Sequence, residues 1–458
     1  MVSFKKAKIA VCVCAAFALP AHADELSDLK TRMAEMLVQL EALQAKQKAL
    51  EAKQEATDTK VAAPAPAPAP ATGALPGSFL IPGTSTSLKV GGYAQLSVIR
   101  EIQGYVGNTQ TVLSPFSYAA GGIPWSGTPA SRQSGETQLE ARESRLNFTT
   151  STPTQYGPLT TFIEGDFYGA GGSKLSTNGV ALRLRHAMAT LGPWMVGQYW
   201  SNSADLAQGP DVFDFGGPVG LAGLNRVPQI RYTYALNPKT NLSMSIEQPV
   251  QDFTGADGVS FSSGFNNISQ NSVSKYPELT ARATFADTWG RQSFGAAARK
   301  LTASSGGAAP LGDTSFSNTG WMVNYQGTIR FGKDSFYYDA VYEDGAGRYI
   351  TQIPTSAVLV GNTSLTNVRA AGVNLAYQKY WAPNWRSTFD YGQNRIKNPH
   401  PNLPLTAMNR VESVFVNLIW TPVPQGQVGL EYTWARIKNE ASQTGIGSRI
   451  MLVTRYAL

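Results

Sequence analysis

The sequence predicts an all-β transmembrane barrel of about 16 antiparallel strands, preceded by an N-terminal α-helical coiled coil. Three observations predict it. The period of hydrophobicity changes from heptad to two after a Pro-rich interval, the period-two segments are joined by alternately short and long connections, and charged residues make up only 15% of 458 residues. A barrel wall needs that composition, because every second residue faces lipid while Gly, Pro and Asn make the turns.

Residues 1–23 read as a signal peptide. Lys5, Lys6 and Lys8 form a basic start, Ile9 to Leu19 is apolar, and Ala21-His22-Ala23 offers a cleavage site, so the mature chain is expected to begin at Asp24. The apolar stretch is too short to span a bilayer. Both cysteines, Cys12 and Cys14, lie within it, which removes disulfides and thiolate metal sites from the mature chain.

Residues 24–60 carry a coiled-coil pattern. Leu26, Leu29, Met33, Met36, Leu40, Leu43 and Leu50 recur at alternating steps of three and four, and Gln47 takes a polar core slot. A 3.5-residue repeat keeps one seam turned toward a partner helix. The competing reading is a lone amphipathic helix lying on a surface. Residues 61–86 form a linker and barrel entry whose Ala-Pro repeats, Ala63 to Pro70, make an extended spacer.

From residue 87 to 458 the pattern is that of a transmembrane β-barrel. Trp385, Ser387, Phe389 and Tyr391 alternate with Arg386, Thr388, Asp390 and Gly392, and Val428, Leu430, Tyr432 and Trp434 with Gly429, Glu431 and Thr433. Such segments start near residues 87, 139, 159, 180, 194, 227, 240, 278, 290, 319, 334, 367, 384, 410, 426 and 447. Short connections have turn chemistry, as in Leu191-Gly192-Pro193 and Asn237-Pro238-Lys239, whereas long ones run near 101–138, 202–226, 249–277 and 344–366. Trp194, Trp289, Trp381, Trp385 and Trp420 cluster by the short turns and read as an aromatic girdle at the membrane boundary. Sixteen strands enclose a lumen wide enough for water.

Strand parity sends Arg145, Arg183, Arg185, Arg231, Arg282, Arg299 and Arg330 into that lumen. A guanidinium holds a permanent charge and a planar fork that fits a carboxylate, so these arginines are candidates for an anion pathway. The alternative is that they pair with the inward acids Glu164, Asp166, Glu247, Asp339, Glu343 and Glu431 and only line the wall. Within the loop Asn202–Arg226, Asp211 and Asp214 are candidates for a constriction if that loop folds inward; a solvated surface loop is the other reading.

An enzyme is not expected. His186 shares a strand face with Leu184 and Met188, His400 lies between two prolines, and no HExxH, nucleophile-elbow or phosphate-loop motif occurs. No cofactor, metal or nucleic-acid partner is expected.

The stretch LPGSFLIPGTSTSLKVGGYAQL, Leu75 to Leu96, resembles the barrel entry of DcaP-like outer-membrane porins, a family that also places a coiled coil and a Pro-rich linker before the barrel. The resemblance implies a homotrimer of 16-stranded barrels passing small anions such as dicarboxylates. The chain departs from the usual barrel ending, since it closes on Leu458 with an aromatic, Tyr456, two residues earlier. Outer-membrane lipid and lipopolysaccharide are further expected partners. A second reading of the whole is a structural one, in which the periplasmic coil tethers the outer membrane to the cell wall.

Overall fold

The structure, a computed structural model, describes residues 23–58, 72–104, 122–173, 179–255, 260–262, 274–304, 315–360, 364–399 and 407–458. The predicted signal peptide before residue 23 and most of the Ala-Pro spacer lie outside the described residues.

The chain divides into two units, residues 1–69 and 70–458. In the first, one helix, α1, spans Ala23–Asp58. It has no internal Gly or Pro to break it, and at ~1.5 Å per residue it is about 54 Å long. Of the predicted seam, Met36, Leu40, Leu43 and Leu50 are all exposed. The side chains of Leu26, Leu29 and Met33 are outside the described residues.

In the second unit, sixteen long strands among the described residues close one antiparallel barrel. In chain order they are β1 Ser87–Gln103, β2 Arg145–Thr154, β3 Gly157–Ser173, β4 Gly179–Leu191, β5 Trp194–Trp200, β6 Arg226–Asn237, β7 Thr240–Glu247 and β8 Glu278–Asp287. They continue with β9 Gly290–Ser304, β10 Ser315–Phe331, β11 Asp334–Asp344, β12 Arg369–Ala382, β13 Trp385–Lys397, β14 Met408–Val423, β15 Gly426–Asn439 and β16 Thr444–Ala457. Each strand pairs with the next, and β16 returns to β1 in the register Tyr93↔Ala457 to Gln103↔Ser448. Closure leaves no wall strand with an unpaired edge, which the hydrocarbon of a bilayer requires.

The observed starts differ from those expected by a few residues. The largest shift is at the second strand. Its pairing with β1 begins in a short piece, Thr137–Glu140, and breaks at residues 141–144, where the Ser144 hydroxyl accepts the Gln95 amide at 3.0 Å, before β2 starts.

The barrel is inverted relative to a soluble one. Leu146 and Phe148 on β2 and Leu430 on β15 are exposed on the outside, while Gln326, Asn374 and Glu431 are buried within. Connections alternate as expected. The two-residue turns include Gly192-Pro193 and Gly332-Lys333, whose glycines take positive φ of 57° and 65° that a side chain would strain. All five predicted girdle tryptophans are exposed by these turns, with Trp385 and Trp420 stacked at 5.7 Å.

The long connections do not all leave the barrel. Residues 201–225, between β5 and β6, enter the lumen. There Ala204, Val219 and Ala222 join Tyr349 and Ile350 of the 345–368 connection and wall residues such as Met322 and Val341 in a buried apolar cluster. This lumen-filling core packs the loops against the inside of the wall.

Candidate functional site: the lumen and its inner loop

The inner loop runs along the inside of the wall from β7 to β16, and carboxylates and polar groups of the wall receive its backbone. Glu247 accepts the Asn202 amide at 2.8 Å, Asp339 accepts that of Ala222 at 2.9 Å, and Glu431 accepts those of Phe213 and Asp214, each at 2.8 Å. The Val219 amide donates to the Ser413 hydroxyl at 3.1 Å. Loop amides need acceptors once they leave water, and acidic side chains facing inward supply them. Close approach also needs missing side chains. Gly220 has φ 82°, and a Cβ there would collide with the Val373 carbonyl oxygen.

Ion pairs pin the loop as well. Asp205 accepts Arg291, Asp211 accepts Arg386 at 2.7 Å, and Asp214 accepts Arg449. Burial pushes the Asp205 carboxyl up, but the Arg291 hydrogen bond and the charges of Arg282 and Arg291 outweigh it and hold Asp205 below its ordinary value.

The candidate constriction residues therefore differ from one another. Asp211 is partly open, with a side-chain exposure of 38%, whereas Asp214 and its partner Arg449 are completely buried. Asp214 is thus an anchor and not part of an open eyelet, because its carboxylate is spent on a buried cation whose other acid, Glu101, is farther away at 3.8 Å.

The seven predicted arginines separate likewise. Arg183 binds Asp166 through two hydrogen bonds, at 3.0 and 2.6 Å, and Arg185 bridges Glu164 and Asp166 at 2.7 and 2.8 Å while being buried. Arg299 is buried between Asp252 at 2.6 Å and Glu278 at 3.1 Å and does not line an open path. For Arg183 and Arg185 the expected alternative, pairing with inward acids, describes the geometry, whereas the acids that hold Arg299 are outside the expected set. The other four have no carboxylate at ion-pairing distance among the described residues. Arg145 sits over the Tyr93 ring at 5.3 Å with its Nε unpartnered. Arg231 donates to Gln229 and to the Trp200 carbonyl, Arg282 donates to the Ala204 carbonyl, and Arg330 is exposed near the turn-side mouth.

Two further arginines face inward, Arg226 against strand parity and Arg455 with it. Arg226 is even-numbered like the lipid-facing Ile230, yet at the end of β6 it turns inward onto Trp200, 4.7 Å from the ring centre. Arg455 on β16 lies over Tyr93 at 4.4 Å and reaches Glu143 at 3.3 Å. Parity also fails at His186. A bulge at Arg185 places Arg185 and His186 both inside, opposite Glu164, while Leu184 faces out. His186 packs on Tyr199 at 4.6 Å and therefore does not share the face of Leu184.

The result is an asymmetric passage. Acids of the β7–β15 wall that lack a cation, such as Asp339, Asp390 and Glu431, are buried, and the inner loop covers them. Arg145, Arg226 and Arg231, on β2 and β6 outside that wall, are only half-buried, as is Arg282 within it on β8. The loop tip comes up against this basic side through Phe215, which stacks on Tyr168 at 4.2 Å and lies 5.3 Å from the Arg183 guanidinium.

A family model described as DcaP outer membrane protein matches residues 102–458. Among solved structures, the crystal structure of the outer membrane channel DcaP of Acinetobacter baumannii is similar at 23% identity and a TM-score of 0.68, covering 83% of this chain and 99% of that one. The anion-selective porin from Comamonas acidovorans is similar at 11% identity and a TM-score of 0.50, covering 81% of this chain and 100% of that one. No curated protein matches the chain.

Proposed function

The chain belongs to the DcaP outer membrane protein family, and from that premise we propose that it is a porin for passive diffusion of small hydrophilic solutes with a preference for anions, organic dicarboxylates included. One observation supports the preference: the inner loop covers buried carboxylates such as Asp339 and Glu431, while four arginines stay half-open with no carboxylate at ion-pairing distance among the described residues. A fixed positive field in a narrow aqueous space raises local anion concentration and lowers that of cations. Paired guanidinium forks suit a solute with two carboxylates better than chloride.

The test is the reversal potential of the purified protein in a planar bilayer under a KCl gradient. The expected result is a chloride preference that a millimolar dicarboxylate competes with. A preference for potassium, or none, would leave a general porin.

For α1, the exposed Met36, Leu40, Leu43 and Leu50 support assembly of the helix with its counterparts in a homotrimer, on the periplasmic side. A tether to the cell wall is the other use of the same helix. Deleting residues 24–72 separates the two. Trimers that dissociate on native gels support assembly; intact trimers in cells with a weakened envelope point to tethering.

A further inference from the structure

Outside the lumen, cations collect at one place on the barrel's outward face, at the loop-side ends of β12–β15. Arg369 stands directly opposite Lys397, Arg395 opposite Arg410, and Arg410 opposite Lys438, all on the outward side. Arg436 is next to them, opposite Glu412. Directly opposed residues on one face have Cβ atoms about 5 Å apart, and like charges at that distance are destabilising. Three such pairs in a row on adjacent strands are a cost that the wall offsets only in part.

Neutralisation from the protein is incomplete. Glu412 is shared by Arg410 and by Arg436, whose Nε is 2.6 Å away, and Asp344 takes Arg369 at 2.8 Å. Glu440 is engaged by Asn398 at 2.6 Å and Asn409 at 3.1 Å. Arg395 donates to Gln393 at 2.9 Å and pairs with no acid among the described residues, and Lys397 and Lys438 also lack one. Six cations thus face three carboxylates, and Arg369 and Lys397 line a hollow of about 560 Å³ with Asn318, Asn367 and Trp321.

The height of the cluster identifies the occupant. From Trp385 at the turn-side rim to Arg395 is ten residues of β13. At ~3.3 Å per residue and a strand tilt of ~40° this is about 25 Å along the membrane normal, the height of the apolar band of such barrels. Leu375, Tyr391, Leu418 and Leu430 fill that band below the cations, exposed to lipid. The cluster therefore lies at the outer boundary of the hydrocarbon. The outward faces of β3–β8 have no Lys or Arg among the described residues, so this is a local site and not a general rim charge.

We propose that the loop-side outward face of β12–β15 binds the phosphate groups of an outer-leaflet phosphorylated glycolipid of the lipid A class, whose acyl chains lie on the apolar band beneath. Four strands at ~4.8 Å spacing put the cations across about 14 Å, room for more than one phosphate on the same lipid. Each phosphate would separate a like-charged pair and accept charge-assisted hydrogen bonds from it. The proposal rests on outer-membrane placement and not on anion preference of the pore.

The experiment compares binding of bis-phosphorylated and dephosphorylated lipid A to the purified full-length protein in detergent, by native mass spectrometry. The expected result is retention of the phosphorylated lipid at least about tenfold better, with the advantage lost in the quadruple variant Arg395→Gln, Lys397→Gln, Arg410→Gln, Lys438→Gln. Conductance and ion preference of that variant should match the parent, since none of the four faces the lumen. Equal retention of the two lipids by the parent protein overturns the proposal even if the variant fails to fold. So does a folded variant that keeps the phosphate preference. Binding of a soluble acidic polypeptide with no lipid A preference would also overturn it, in favour of a protein partner.

Discussion

Replacing Arg145, Arg231 and Arg282 together by Glu is expected to reverse the ion preference from chloride to potassium. Each of these arginines is half-buried on the inner wall with no carboxylate at ion-pairing distance among the described residues, so its charge acts on the passage directly. A unit charge about 8 Å from a permeating ion contributes roughly 0.5 kcal/mol in water, and reversing three charges counts each twice, about 3 kcal/mol in all. Salt at ~0.1 M has a Debye length of about 10 Å and removes about half of this. What remains shifts each ion's occupancy roughly tenfold in opposite directions, or about a hundredfold in the ratio. The matched control is Arg183→Gln with Arg185→Gln. Those two are tied to Asp166 and Glu164, so with Asp166→Asn and Glu164→Gln made alongside the net charge of the passage is unchanged, and selectivity should change little while the melting temperature falls. A triple-Glu protein that still prefers chloride would show that the arginines do not face the permeating ions.

The second large effect is expected at the loop anchor. Arg449→Met leaves Asp214 completely buried without its cation, and Glu101, 3.8 Å from Arg449, loses its partner too. Removing one member of a buried ion pair costs about 3–5 kcal/mol. The Phe213–Phe215 tip should leave the wall, since the Glu431 hydrogen bonds to residues 213 and 214 are too few to hold it against that charge. Single-channel recordings should show larger and noisier conductance, and thermal unfolding should begin earlier. Adding Asp214→Asn to Arg449→Met should restore part of both properties, and only part, because Glu101 stays unpaired. Unchanged conductance in the single variant would mean that the loop is held by its apolar contacts alone.

The helix, the strands, their number, their turns and the rim tryptophans were legible because each depends on residues near in sequence. Alternation of Trp385 to Gly392 needs only the period of a pleated strand with lipid on one side, and Gly192-Pro193 needs only turn geometry. Parity gave the inward direction of Arg145, Arg231 and Arg282 for the same reason. It failed where a strand is irregular. The bulge at Arg185 turned His186 inward, and at the first residue of β6 Arg226 turns inward onto Trp200.

Which inward arginine stays available depends on the acid that comes within reach of it, and those acids lie on neighbouring strands, as Asp166 for Arg183, or far along the chain, as Asp252 for Arg299. Asp214 shows the limit most clearly. Its partner Arg449 is 235 residues away, and nothing local to either marks the pair. Sequence by itself determined a barrel with a wet, arginine-bearing interior, since a two-residue period records the choice between lipid and lumen at every position. Only the tertiary structure decided which charges the loop consumes and which remain open to solutes, because pairing is a property of distance in space.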